Sequence, residues 1–183
     1  MAATEIAIDV TPARARFVGV RLLVAAEAFF FLGFLFAYLY LRALDSNGNW
    51  HPPHTDPSIA LGTVSLVAIV AAALVLRFGA EQQLRTATTL ALALSLVATA
   101  CWGIQLFDPG FSPVHAGGFG AVFVGFAAAF TAHLLGAVYW LETIAVDSAT
   151  AEDQLRQELG AALVFTTFLA GVAVVAYILI YLV

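Results

Sequence analysis

Long apolar runs separated by short polar stretches organise this chain of 183 residues. Five runs, at Phe17–Ala43, Ile59–Phe78, Leu84–Phe107, Gly117–Val146 and Leu159–Val183, are each long enough to cross a bilayer as a helix. The pattern predicts an all-α, polytopic membrane bundle of five transmembrane helices. Residues 17–183 form one domain, and residues 1–16 form a polar arm. That arm carries Glu5 and Asp9 and has no apolar core ending in a cleavage site, so it reads as an arm and not as a signal peptide.

The polar stretches carry helix signals. Thr11-Pro12, Asp56-Pro57 and Ser112-Pro113 each offer an N-cap followed by proline, ahead of helices 1, 2 and 4. Thr150 and Asp153 have capping-box spacing before helix 5, with Asp in place of Glu or Gln. The first loop is rich in turn residues and places Trp50 near the membrane interface. Glycines and alanines in the first half of helix 4 offer a face that another helix can approach closely, although small residues are also common in such helices.

Composition agrees with the pattern: 62% of residues are hydrophobic and 10% charged, outside the range of soluble domains. Arginine placement adds an orientation. Arg14, Arg16, Arg21, Arg77, Arg85 and Arg156 fall on the N-terminal side, and Arg42 alone falls on the other. This bias predicts a cytoplasmic N-terminus and an external C-terminus. The chain has no lysine, which fits a GC-rich bacterial genome and hence a bacterial plasma membrane. A net charge of −5 gives no reason to expect nucleic-acid binding.

Candidate chemistry is sparse. Cys101 is the one cysteine and lies mid-helix, so a disulfide, a dinuclear copper motif and an iron–sulfur site are excluded. Of four histidines, His51, His54 and His115 fall in external loops and only His133 lies within a span. The three loop histidines can in principle share a metal, but solvated loop residues are the plainer reading. One intramembrane histidine cannot bind a haem between two such ligands within this chain. No catalytic residues and no metal site are expected.

Glu27 is the outstanding residue. It sits about ten residues into the first apolar run, ~15 Å along the helix. An intramembrane carboxyl group costs on the order of 2.5–3.5 kcal/mol and is a functional candidate by default. Phe30, Phe31, Phe34 and Tyr38 lie along its stripe, which reads as packing and not as a proton wire. His133, about thirteen residues from the inner end of helix 4, reaches a similar depth. The two can pair across a helix 1–helix 4 contact, or each can find a separate partner. Gln105 and Glu142, near span ends, are expected to reach the headgroups, and Thr166 and Thr167 to bond back to their own helix.

In this order the features resemble subunit III of the haem-copper cytochrome c oxidases. Arg21–Arg42 is similar to that family's Glu-containing, Phe-rich helix, and Trp50-His51-Pro52-Pro53 to its Trp-Pro-Pro turn with one residue inserted. Gln105 falls where the family ends a helix in glutamine. Gly117–Gly136 resembles its glycine-rich helix with His-x-x-His, and Leu163–Val183 its terminal helix. The usual form has seven helices, so this chain resembles a shorter bacterial form lacking the first two. Only His133 of the two histidines is present, and Thr166 and Thr167 stand near the place of the terminal helix's His and Asp.

The resemblance implies a non-catalytic accessory subunit of a terminal oxidase that reduces oxygen to water. Such a chain packs beside catalytic subunit I and subunit II, within a larger supercomplex in some membranes, and supports assembly, sustained turnover and proton uptake. Haem and copper belong to the partner subunits and none to this chain. Glu27 matches the family's intramembrane, carbodiimide-reactive glutamate. Members hold phospholipid between their first two helices and the rest, which leaves lipid binding open here. An accessory role in a quinol oxidase or a nitric oxide reductase remains an alternative. So does a different class, a small proton-coupled transporter using Glu27 and His133, against which stand the odd helix number and the lack of internal repeats.

Overall fold

The computed structural model describes residues 12–45, 47–52, 55–79, 83–107, 115–146 and 152–182. These residues form five helices: α1 (Pro12–Ala43), α2 (Ile59–Gly79), α3 (Leu84–Leu106), α4 (Gly117–Val146) and α5 (Glu152–Tyr177). A π-helical turn, Ile178–Leu182, continues α5. Each of the five is long and apolar enough to cross a membrane. The described chain is all-helical, as the apolar runs predict.

The bounds differ from the apolar runs where polar residues continue the helix. α1 begins at Pro12, ahead of Phe17, which suits proline in a first turn. At 32 residues it is ~48 Å long, well beyond a hydrocarbon core of about 30 Å. α5 begins at Glu152 and so carries a polar first segment before Leu159. α2 begins at Ile59, two residues beyond the Asp56-Pro57 signal. Ser58 Oγ accepts from the Leu61 backbone N–H at 3.4 Å, so serine takes the capping role expected of aspartate. Ser112, Pro113 and Thr150, and the side chain of Asp153, lie outside the described residues.

Contacts between distant residues fix which ends meet. Arg16 Nη1 donates to Glu158 Oε1 at 2.8 Å, tying the start of α1 to the start of α5. Both side chains are partly exposed, so this ion pair contributes ~1 kcal/mol or less. At the opposite end, the Phe119 N–H donates to the Trp50 carbonyl at 2.8 Å. That bond satisfies one of the orphan donors in the first turn of α4. Gly117 sits at φ +61, and a Cβ there would run into the Asn49 carbonyl oxygen, so only glycine admits this close crossing. Trp50 is buried, with its ring edge-on to Tyr38 at 5.2 Å and to Phe119 at 6.0 Å. The ring of Trp50 packs into the bundle at the same end where its carbonyl is held by α4.

The core is aromatic. Phe119, Phe123, Phe126 and Phe130 line one face of α4; the last three meet Trp102 of α3, and Phe126 and Phe130 also meet Phe31 of α1. Between helices in lipid no hydrophobic driving force exists, so van der Waals fit and interhelical hydrogen bonds hold the bundle. Ring pairs of this kind contribute about 0.5–1.5 kcal/mol each beyond their area. A second cluster, Ala72, Leu76, Leu141, Ile144 and Leu159 among others, closes the arginine-rich end. The small face of α4 does admit neighbours: Gly118 lies against Trp50 and Gly125 against Phe34.

Candidate functional site

α1 and α4 cross where Glu27 and His133 face each other. Glu27 Oε2 stands 2.8 Å from His133 Nε2. The other ring nitrogen, Nδ1, is 2.7 Å from the Ala129 carbonyl oxygen one turn back on α4. Both ring nitrogens are therefore engaged, and the imidazole is held at two points. Phe30 stacks on it at 5.8 Å and Phe31 meets it edge-on at 5.0 Å. Glu27 retains 23% exposure of its side chain and His133 18%. A pair so placed, in a low-dielectric sleeve, is electrostatically stronger than in water, and losing one partner is correspondingly costly.

The stripe beside Glu27 divides by environment. Phe31 and Tyr38 are buried, whereas Phe30 is exposed on the outer surface. Behind Phe31, between α1, α4 and α5, lies an apolar cavity of about 490 Å³. Phe34, Tyr38, Phe123, Phe168 and Gly171 contribute to its wall. Phe31 thus touches the histidine on one side and the cavity on the other. Gly171 has open space where a Cβ would stand. Gly171→Ala should therefore fit without a clash and raise stability by about 0.5–1 kcal/mol through helix propensity, read as a higher melting temperature in detergent.

A second polar group holds the far end of the bundle. Tyr38 Oη donates to the Leu179 carbonyl in the π turn at 2.6 Å. Thr63 Oγ1 spends its hydrogen on the Ile59 carbonyl at 2.8 Å, so Tyr177 Oη is the donor in their 2.8 Å contact. Tyr181 Oη donates to Gln105 Oε1 at 2.6 Å. The expectation that Gln105 reaches the headgroups is overturned, because it is 1% exposed and held by Tyr181. Gly62 makes this possible, since a Cβ there would overlap the Tyr181 ring. Sequence reading missed the arrangement, although a tyrosine-rich terminus and a glycine early in helix 2 were its available signals.

The remaining candidates separate. His51 stacks on Phe119 at 4.1 Å, and its Nε2 lies 3.3 Å from Asp56 Oδ1, close enough for an ion pair but poorly aligned for a hydrogen bond. His54 lies outside the described residues, and His115 is exposed. Among the described residues, no three His, Cys, Asp or Glu side chains gather as a metal ion requires. Cys101 is a buried free thiol, Glu142 is exposed and Thr166 is buried.

Taken together, five helices long and apolar enough to cross a membrane, with a part-buried carboxyl–imidazole pair between α1 and α4, define the class as a multi-pass helical membrane bundle. No family model matches the chain, and no curated protein matches its sequence.

Proposed function

We propose that the chain is a five-helix accessory subunit of a haem-copper terminal oxidase, of the subunit III type, in a bacterial plasma membrane. The arginine bias supports a cytoplasmic N-terminus and an external C-terminus. The observation that carries the reading is the pairing of Glu27 with His133. A glutamate in a Phe-rich helix and a histidine in a glycine-rich helix are the two intramembrane features on which the family resemblance rests. Their meeting joins those two helices at one point.

In this reading the chain performs no redox step. Haem and copper sit in subunits I and II, where oxygen is reduced. This chain packs beside subunit I, and its rigid α4 face and the Glu27–His133 cross-link give that neighbour a fixed wall. Support of proton uptake and of sustained turnover follows from holding the neighbour's helices in place, not from ligands of its own. Deleting the chain should leave haem content near the wild-type level. The initial rate should fall modestly, and the enzyme should inactivate severalfold sooner during continuous turnover. An oxidase of unchanged subunit content, rate and lifetime in the deletion strain would remove the proposal.

A further inference from the structure

A hydrogen count at His133 leads beyond the accessory role. The Ala129 carbonyl can only accept, so Nδ1, 2.7 Å from it, must carry a hydrogen. The contact between Nε2 and Glu27 Oε2 at 2.8 Å also needs one. A neutral imidazole brings one hydrogen and an ionised carboxylate brings none. Two contacts therefore need one hydrogen more than the unprotonated pair supplies. Switching the tautomer does not help, because it moves the lone-pair clash from Oε2 to the Ala129 oxygen.

We infer that the Glu27–His133 contact is an intramembrane proton-binding site, and that losing its one extra proton loosens α1 from α4 at the wall of the apolar cavity. The proton rests on Nε2, giving imidazolium and carboxylate, or on Oε2, giving neutral imidazole and carboxylic acid. Either form is net neutral, whereas the unprotonated pair carries one negative charge in an apolar span, the state the membrane disfavours. Phe31 conveys the change: it meets His133 at 5.0 Å and also lines the cavity with Phe34 and Phe168.

No other described charge stands ready to replace that proton. On α1, Arg21 is six residues away, ~9 Å along the helix, with its guanidinium over the Phe17 ring. Tyr38 is eleven residues the other way and bonded to Leu179. On α4, Tyr139 and Glu142 are six and nine residues along and exposed. On α5, the residue meeting Phe31 is Phe168, at 6.0 Å. The ionisable groups of α5 lie toward its ends, where Glu158 is held by Arg16 and Tyr177 by Thr63.

The test uses the full chain in its native membrane, ¹⁵N-labelled at histidine, with His133 assigned by its loss in His133→Gln. Near neutral pH, Nδ1 should be protonated, and Nε2 either protonated too or accepting from a carboxylic acid. A neutral ring with a bare Nδ1 and an Nε2–H would overturn the inference. Spin labels at exposed positions, Leu22→Cys and Tyr139→Cys in a Cys101→Ala background, then report the α1–α4 distance. In wild type it should widen by a few ångströms as the buffer is made alkaline enough for the pair to lose its extra proton. Glu27→Gln carries the second hydrogen on its own amide, so it should stay closed throughout, and Glu27→Ala should be open throughout. A wild-type distance that stays constant while the pair loses its extra proton contradicts the inference, as does a Glu27→Gln variant that opens with wild-type pH dependence.

Discussion

Under the proposed accessory role, Glu27→Ala should leave the haem spectrum of the assembled oxidase unchanged while weakening retention of this chain and shortening the working life of the enzyme. The substitution removes the partner of His133 Nε2 but leaves the imidazole in the sleeve of Phe30 and Phe31. A half-buried polar atom stripped of its partner costs about 1–3 kcal/mol. Interhelical hydrogen bonds in membranes contribute about 0.6 kcal/mol on average, so most of the expected loss comes from the stranded histidine and not from the bond itself. The double variant Glu27→Ala/His133→Ala should therefore recover part of the stability lost in the single one. Subunit ratio after purification and the decay of oxygen consumption with time measure both effects. A single variant equal to wild type in both would end the special role of Glu27.

The second large effect is expected at Gly62. A valine there would drive its side chain into the ring of Tyr181 and displace it from Gln105. Overpacking of this kind costs about 1–3 kcal/mol. The Gln105 amide would suffer as well: its Nε2 has no partner among the described residues, and the Tyr181 bond engages its other end. An amide buried without partners adds a cost of about 1–3 kcal/mol. Gly62→Val should therefore lower the melting temperature more than Tyr181→Phe, which removes the hydroxyl and keeps the ring. Equal melting temperatures for Gly62→Val and wild type would mean that the Tyr181 ring does not occupy this slot.

How much of this was legible in the sequence depended on distance along the chain. The five helices follow from apolar runs, which need only local counting. Depth made the meeting of Glu27 and His133 one of two readings, because helical rise is fixed and both residues lie at countable distances from their helix ends; that α1 and α4 are neighbours there is not fixed by depth. The Tyr181–Gln105 bond was not legible, since it needs α2, α3 and the π turn to be neighbours, and no local pattern fixes that. The cavity escaped for the same reason: an exposed Phe30 and a buried Phe31 look alike in a run of phenylalanines. The Ser58 cap was misassigned to Asp56 because Asp-Pro is the stronger signal in sequence, while the chain extends through it before α2 begins.

The accessory-subunit reading is tested most directly by recovering the tagged chain from its native membrane in mild detergent and recording a reduced-minus-oxidised spectrum. The account predicts haem co-purifying with a large catalytic subunit, retained by wild type and diminished relative to this chain in Glu27→Ala. A colourless chain recovered alone, from membranes that still hold intact oxidase, would contradict it and direct attention to proton-coupled transport through the Glu27–His133 pair.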